Sequence, residues 1–121
     1  MTEPSFSDGF VYRLSSEESW AQSKASGEIA WEAHDERDGF LHLSGADQAQ
    51  GSALRHYGDE LGLLAVAMRK DALSDLRWEE STGGEMFPHH YGAVPLSAVD
   101  HVLRLTRGMA GSYIVVAKLD P

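Results

Sequence analysis

A histidine set in an otherwise apolar strand gives the first candidate for reactive chemistry. In Asp38-Gly39-Phe40-Leu41-His42-Leu43-Ser44, the two-residue period of an extended chain puts Leu41 and Leu43 on one face and Phe40, His42 and Ser44 on the other. If the leucines meet the core, His42 faces a cleft, where an imidazole can hydrogen-bond a ligand or exchange a proton near neutrality. The plainer alternative is a histidine satisfied by a neighbouring carbonyl. A second segment, Phe87-Pro88-His89-His90-Tyr91-Gly92, presents Phe87, His89 and Tyr91 on one side when extended and His90 on the other. Such a wall can stack on a flat ring and donate to a hydroxyl, although a packed loop with Tyr91 in the core would use the same residues. Arg77 and Glu79, two apart on one strand face, suit an anion clamp and a general base or ribose-hydroxyl acceptor. An exposed ion pair has the same appearance in sequence. Arg13 is a further anion-binding candidate, on the opposite strand face from Tyr12.

Other chemistries find less support. A metal-dependent hydrolase would recruit His42, His89 or His34 with Glu79 or Asp35, yet the six histidines follow no HExxH or comparable ligand spacing, so no metal site is expected. There is no G-x-S-x-G elbow, no G-x-G-x-x-G and no Walker pattern. With no cysteine, disulfides, thiolate metal sites and thiol catalysis are excluded, and a cytoplasmic location is the expectation. The formal net charge of −9 disfavours nucleic acid, whose binding depends on Lys and Arg neutralising phosphates. A small anionic ligand stays compatible, because one or two well-placed arginines outweigh the average charge locally.

The elements that must position these residues fit one domain over residues 1–121, a size that can bury a core. Residues 1–9 read as a frayed lead-in without a basic start or apolar run, and no apolar stretch reaches the roughly 18 residues of a membrane span. A first strand is expected over residues 10–14, then a helix from a Ser15-to-Glu18 capping box to Ser26, ending at Gly27. Residues 28–38 are acidic and without period, so they read as a loop. The His42 strand spans residues 40–43, followed by a helix that starts at Ser44 and ends at Gly58. The nearly continuous apolar run of residues 61–68 predicts a central strand covered on both faces. A short helical turn at residues 70–75, a strand at 76–80, an extended segment at 85–93 and a hairpin of strands 99–106 and 112–119 complete the chain. Helices early, strands at both ends and a late hairpin predict an α+β fold with a curved, mixed or mostly antiparallel sheet and two helices in the N-terminal half.

Taken in order, Phe10-Val11-Tyr12-Arg13-Leu14, Asp38-Gly39-Phe40-Leu41-His42-Leu43-Ser44, Leu76-Arg77-Trp78-Glu79, Phe87-Pro88-His89-His90-Tyr91-Gly92 and Pro95-Leu96-Ser97-Ala98-Val99 resemble the bacterial family called domain of unknown function 952, over about residues 9–107. That family in turn resembles the ADP-ribosyltransferase-type fold. The resemblance implies a split, curved sheet with a cleft that holds NAD, with His42 on a ribose hydroxyl, His89, Tyr91, Arg77 and Arg13 around the ligand, and glycosidic cleavage or ADP-ribosyl transfer through an oxocarbenium-like state. The late strand, Tyr113-Ile114-Val115-Val116-Ala117-Lys118, has no glutamate where many transferases place their catalytic carboxylate. Glu79 substitutes for it only if its strand lines the same cleft. The competing expectation is a noncatalytic module that binds a small molecule or a protein tail in the same pocket.

Overall fold

Strand β3, Gly62–Arg69, is the centre of the molecule, and its six consecutive buried residues explain its unbroken apolar sequence. Side chains alternate across a strand, so each face of β3 enters a different cluster. Leu64, Val66 and Met68 meet Val11, Leu41, Leu43 and Val102 on one face. Leu63, Ala65 and Ala67 meet Tyr12, Leu14, Leu103 and Tyr113 on the other. The computed structural model describes residues 4–121 apart from positions 59 and 82.

Among the described residues the fold is α+β, with two antiparallel sheets and three α-helices. β3 lies between β1 (Phe10–Ser15) and β6 (Val99–Arg107), and β7 (Tyr113–Leu119) pairs outside β6 to complete a four-stranded sheet. A second sheet has the order β2-β5-β4, from Leu41–His42, Met86–His90 and Leu76–Glu80. Every pairing is antiparallel, so the sheet is split as expected and not mixed. Among the described residues, one isolated backbone bridge joins the two sheets, which also share the Leu41 and Leu43 side of the core. Beyond β2 the chain leaves Pro88, whose carbonyl accepts from Leu43, and crosses to β1, where Tyr12 and Ser44 exchange both backbone hydrogen bonds at 2.8 Å. A fork opens between β1 and β2, and the Arg13 side chain spans it.

Helix α1 (Glu17–Ser26) ends at Gly27 as predicted, but its cap is one residue later than expected: the Ser16 hydroxyl, not that of Ser15, accepts from Ser19 N–H at 3.1 Å. Residues 33–38, read as loop, form the short helix α2 (Ala33–Asp38), so three helices replace the predicted two. It closes at Gly39, whose φ of 82° lies in the left-handed region open to glycine. Helix α3 (Ala49–Tyr57) starts five residues after Ser44, because residues 45–48 make a turn in which the Gln48 side chain accepts from Gly45 N–H. It packs Ala53 and Tyr57 onto the second face of β3. The lead-in is not frayed where it is described: Phe6 packs edge-to-face on Tyr12 at 5.0 Å, and Ser7 N–H donates to the Tyr12 hydroxyl. Among the described residues, no helix is long and apolar enough to cross a membrane.

Candidate functional site

The fork between the two sheets is a cleft of about 680 Å³. β1 contributes Arg13, α2 contributes His34, Arg37 and Asp38, and β2 places His42 with Ser44 just beyond it. α3 supplies Ser52, Arg55, His56 and Tyr57, while Phe87 and His89 of β5 and Glu85 before it close the remaining wall.

Its floor is a buried ion pair. Asp35 has no solvent exposure, and its two oxygens accept from Arg13 Nη1 at 3.0 Å and Nη2 at 2.6 Å. Glu32 N–H donates to Oδ2 at 2.7 Å, while His42 N–H and His42 Nδ1 lie 2.9 and 2.8 Å from Oδ1. Arg13 completes its set on the carbonyls of His42 and Ala30. A buried charge is tolerated when its partners and hydrogen bonds are complete, and here they are. Burial alone would raise the Asp35 pKa. The hydrogen bonds from His42 and Arg13, the Arg13 charge and the Glu32 amide overcome it and hold the carboxyl well below the usual range.

That balance has a pH consequence with a definite sign. Because the folded-state pKa of Asp35 is depressed, its stabilisation is complete above the unfolded carboxyl value of about 3.9 and is lost as the pH falls through the lower folded value. The urea midpoint is therefore expected to fall on acidification below about pH 4. Asp35→Asn should show a flatter acid limb in the same titration, and identical limbs would contradict the assignment.

His42 is held at both nitrogens. Nδ1 faces Asp35, and Nε2 lies 2.9 Å from Asp38 Oδ2. A carboxylate is an acceptor, so both contacts are filled when both ring nitrogens carry hydrogen. His34 stacks obliquely on this ring at 4.6 Å; burial lowers its pKa, with the His42 and Arg13 charges adding to the effect and Asp35 opposing it. Tyr57 donates to Glu32 Oε2 at 3.2 Å, and burial, helped by the Glu32 charge, pushes its phenol up to about 12. The Tyr57 hydroxyl at the cleft wall thus stays a neutral donor.

The six residues singled out from the sequence are gathered on two sides of one ring cluster, and the cleft takes half of them. His42, His89 and Arg13 line it; Arg77, Glu79 and Tyr91 do not. The register explains the division, since His42 pairs with His89 and His89 with Arg77, which places one row of side chains across β2, β5 and β4. β4 is the outer strand, so its residues lie beyond the cleft wall. Glu79 Oε1 accepts from His89 Nδ1 at 2.9 Å and from the Tyr91 hydroxyl at 2.8 Å. The His89 bond, then that of Tyr91, holds its pKa down. Arg77 pairs with Asp75 and stacks over the Tyr91 ring at 4.1 Å. Phe40 joins the two halves, stacked on His89 at 4.0 Å and tilted against His42 at 4.6 Å. His90 faces away, with Nε2 accepting from Asp75 N–H.

Arg13 is correspondingly an organiser beneath the cleft, its guanidinium committed to Asp35 and two carbonyls. Sequence reasoning missed Arg37, Asp38, Arg55 and His56. The first two lie in the stretch read as loop, and the other two on a helix read only for its bounds, Ser44 to Gly58. The ligand-forming atoms of His34, Asp35 and His42 come within 4.8 Å of one another. A cation there would have to displace Arg13 or the His42 ring from Asp35, whose oxygens are already filled.

The elements around this cleft are those of a recognisable sequence unit. Residues 14–102 match the family described as protein of unknown function DUF952. The chain belongs to the DUF952 family. Its fold is similar to the crystal structure of protein CC0527 from Caulobacter crescentus, at 34% identity and a TM-score of 0.79 over 87% of this chain and 93% of that one. The solution NMR structure of CC0527 is similar at 34% identity and a TM-score of 0.76, over 86% of this chain and 90% of that one. No curated protein matches the chain. The DUF952 match includes α2, β2, α3 and β5, and with them nearly the whole cleft wall.

Proposed function

We propose that this DUF952 protein binds a phosphate-bearing, ribose-containing ligand of the NAD or ADP-ribose type in the cleft between its sheets. One observation carries the reading: in a chain of net charge −9, two exposed arginines, Arg37 and Arg55, line the cleft beside the imidazoles of His42 and His89, above an Arg13 already neutralised by Asp35. Cationic groups concentrated in a cleft raise the local concentration of an anion whatever the average charge. The volume of about 680 Å³ lies within the roughly 300–1,000 Å³ of small-molecule sites. Ser44, Ser52, Tyr57 and Phe87 shape the same wall, with the two serine hydroxyls bonded to each other and that of Tyr57 to Glu32. The antiparallel sheets that part at the cleft support the likeness to the ADP-ribosyltransferase-type arrangement, which belongs to this proposal.

Binding is the part the geometry favours. Glycosidic cleavage needs a carboxylate at the ribose, and Glu79 has its Oε1 engaged by His89 and Tyr91 outside the lining. The carboxylates on the cleft wall are Asp38 and Glu85, and Glu85 accepts from the Gln48 amide at 3.0 Å. Arg55 is exposed and makes a cation–π contact with Phe87 at 5.7 Å. Arg55→Ala should therefore leave the fold intact and weaken ADP-ribose binding about tenfold, the loss expected for a charge-assisted contact. Calorimetry giving the same affinity for both proteins would remove Arg55 from the site. Nicotinamide release during prolonged incubation with NAD would overturn the restriction to binding.

A further inference from the structure

We propose that the Asp38 carboxylate holds the place of a ligand's anionic group, and that a phosphate or pyrophosphate oxygen binds between Arg37 and His42 Nε2 by displacing it. The inference rests on the cleft being a site for a phosphate-bearing ligand, and it assigns the subsite and its internal competitor. Arg37, Asp38 and His42 all line the cleft. Arg37 Nε and Nη2 donate to the two Asp38 oxygens at 3.0 and 3.4 Å, and His42 Nε2 lies 2.9 Å from Oδ2. A guanidinium fork and an imidazole nitrogen converging on one pair of oxygens is how a protein holds a phosphate as well as a carboxylate.

The two carboxylates on His42 differ in how firmly they are fixed. Asp35 has no exposed side-chain surface and accepts hydrogen bonds from Arg13, Glu32 and His42, so it cannot leave. The Asp38 side chain is 32% exposed, and its strongest partner is its own sequence neighbour, whose side chain is 72% exposed. Exposed ion pairs are weak and screened, so an incoming dianion gives up little by replacing one. The Arg37 hydrogen bond first, and then that of His42, keeps Asp38 ionised, which makes it a competitor for any anion. A ligand that contacts Arg55 as well overcomes that competition, whereas a lone carboxylate does not.

The test is calorimetric titration with inorganic pyrophosphate and with ADP-ribose at low salt, on the wild type, Asp38→Asn, Arg37→Gln and Glu36→Gln. Glu36 is exposed on the same helix and controls for the removal of one negative charge. Asp38→Asn should bind both probes about fivefold more tightly, Glu36→Gln should stay within about twofold, and Arg37→Gln should bind less tightly than wild type. A His42 Nε2 resonance that moves with pyrophosphate in the wild type, starting from a different position in Asp38→Asn, would support displacement directly. Equal tightening in Asp38→Asn and Glu36→Gln, or none in either while ADP-ribose binds wild type, overturns this inference and leaves the cleft reading standing. No binding of either probe to wild type or Asp38→Asn overturns both.

Discussion

Replacing Asp35 by alanine is expected to destabilise the protein by about 3–5 kcal/mol, the cost of leaving one member of a buried ion pair without its partner. Arg13 is 3% exposed and Asp35 fully buried, so little solvent reaches the guanidinium, and the half-buried Glu32 carboxylate 3.8 Å from it is a poor substitute. The same substitution takes acceptors from two backbone amides, Glu32 N–H and His42 N–H. Against a total stability of roughly 5–15 kcal/mol this is a large fraction, and a loss of cooperative urea unfolding would be within range. The double variant Arg13→Met, Asp35→Leu separates the pair's electrostatics from its packing, because apolar replacements of buried ion pairs are often neutral or stabilising. It should recover much of the stability while releasing the His42 ring. An Asp35→Ala protein within about 1 kcal/mol of wild type would contradict the role given to the pair.

Leu41→Ala is expected to cost about 2–5 kcal/mol, with a second effect on the cleft. Leu41 is fully buried in the cluster that includes Val11, Leu43, Val66 and Val102. A cavity there loosens β2, which is two residues long and consists of Leu41 and His42. His42 keeps its backbone bonds to Asp35 and Arg13 only while Leu41 holds the strand down. The binding loss in Leu41→Ala should therefore exceed what its unfolded fraction explains. Ile114→Ala on β7, where the side chain is 51% exposed, should change stability by no more than about 0.5 kcal/mol. Comparable urea midpoints for the two variants would show that β2 is not anchored through Leu41.

The sequence carried the large sheet well because its strands follow strong periods. The unbroken apolar residues 62–68 lie in the central strand, and the alternation around Gly108 and Gly111 marks the β6-β7 hairpin. The face assignment at Leu41, His42 and Leu43 also holds, with both leucines buried and His42 on the cleft. The acidic run was opaque for a physical reason. α2 has no apolar stripe, and what makes it a helix is a carboxylate–amide contact between Asp35 and Glu32, with Gly39 to end it. Asp35 looks like one more solvated charge until Arg13, 22 residues earlier, is seen beside it. Arg77, Glu79 and Tyr91 were placed on the correct strand faces. Period tells which face a residue takes but not which strand is outermost, so their position beyond the cleft wall was not legible.

The most direct measurement is calorimetric titration of the wild-type protein with ADP-ribose, alongside NAD and nicotinamide alone, at low and at physiological salt. Cationic side chains in an otherwise acidic protein predict saturable binding of ADP-ribose and NAD that weakens as salt rises, and little heat from nicotinamide, which lacks the phosphates. No saturable heat with ADP-ribose at millimolar concentration, or binding carried by nicotinamide alone and indifferent to salt, would contradict the account.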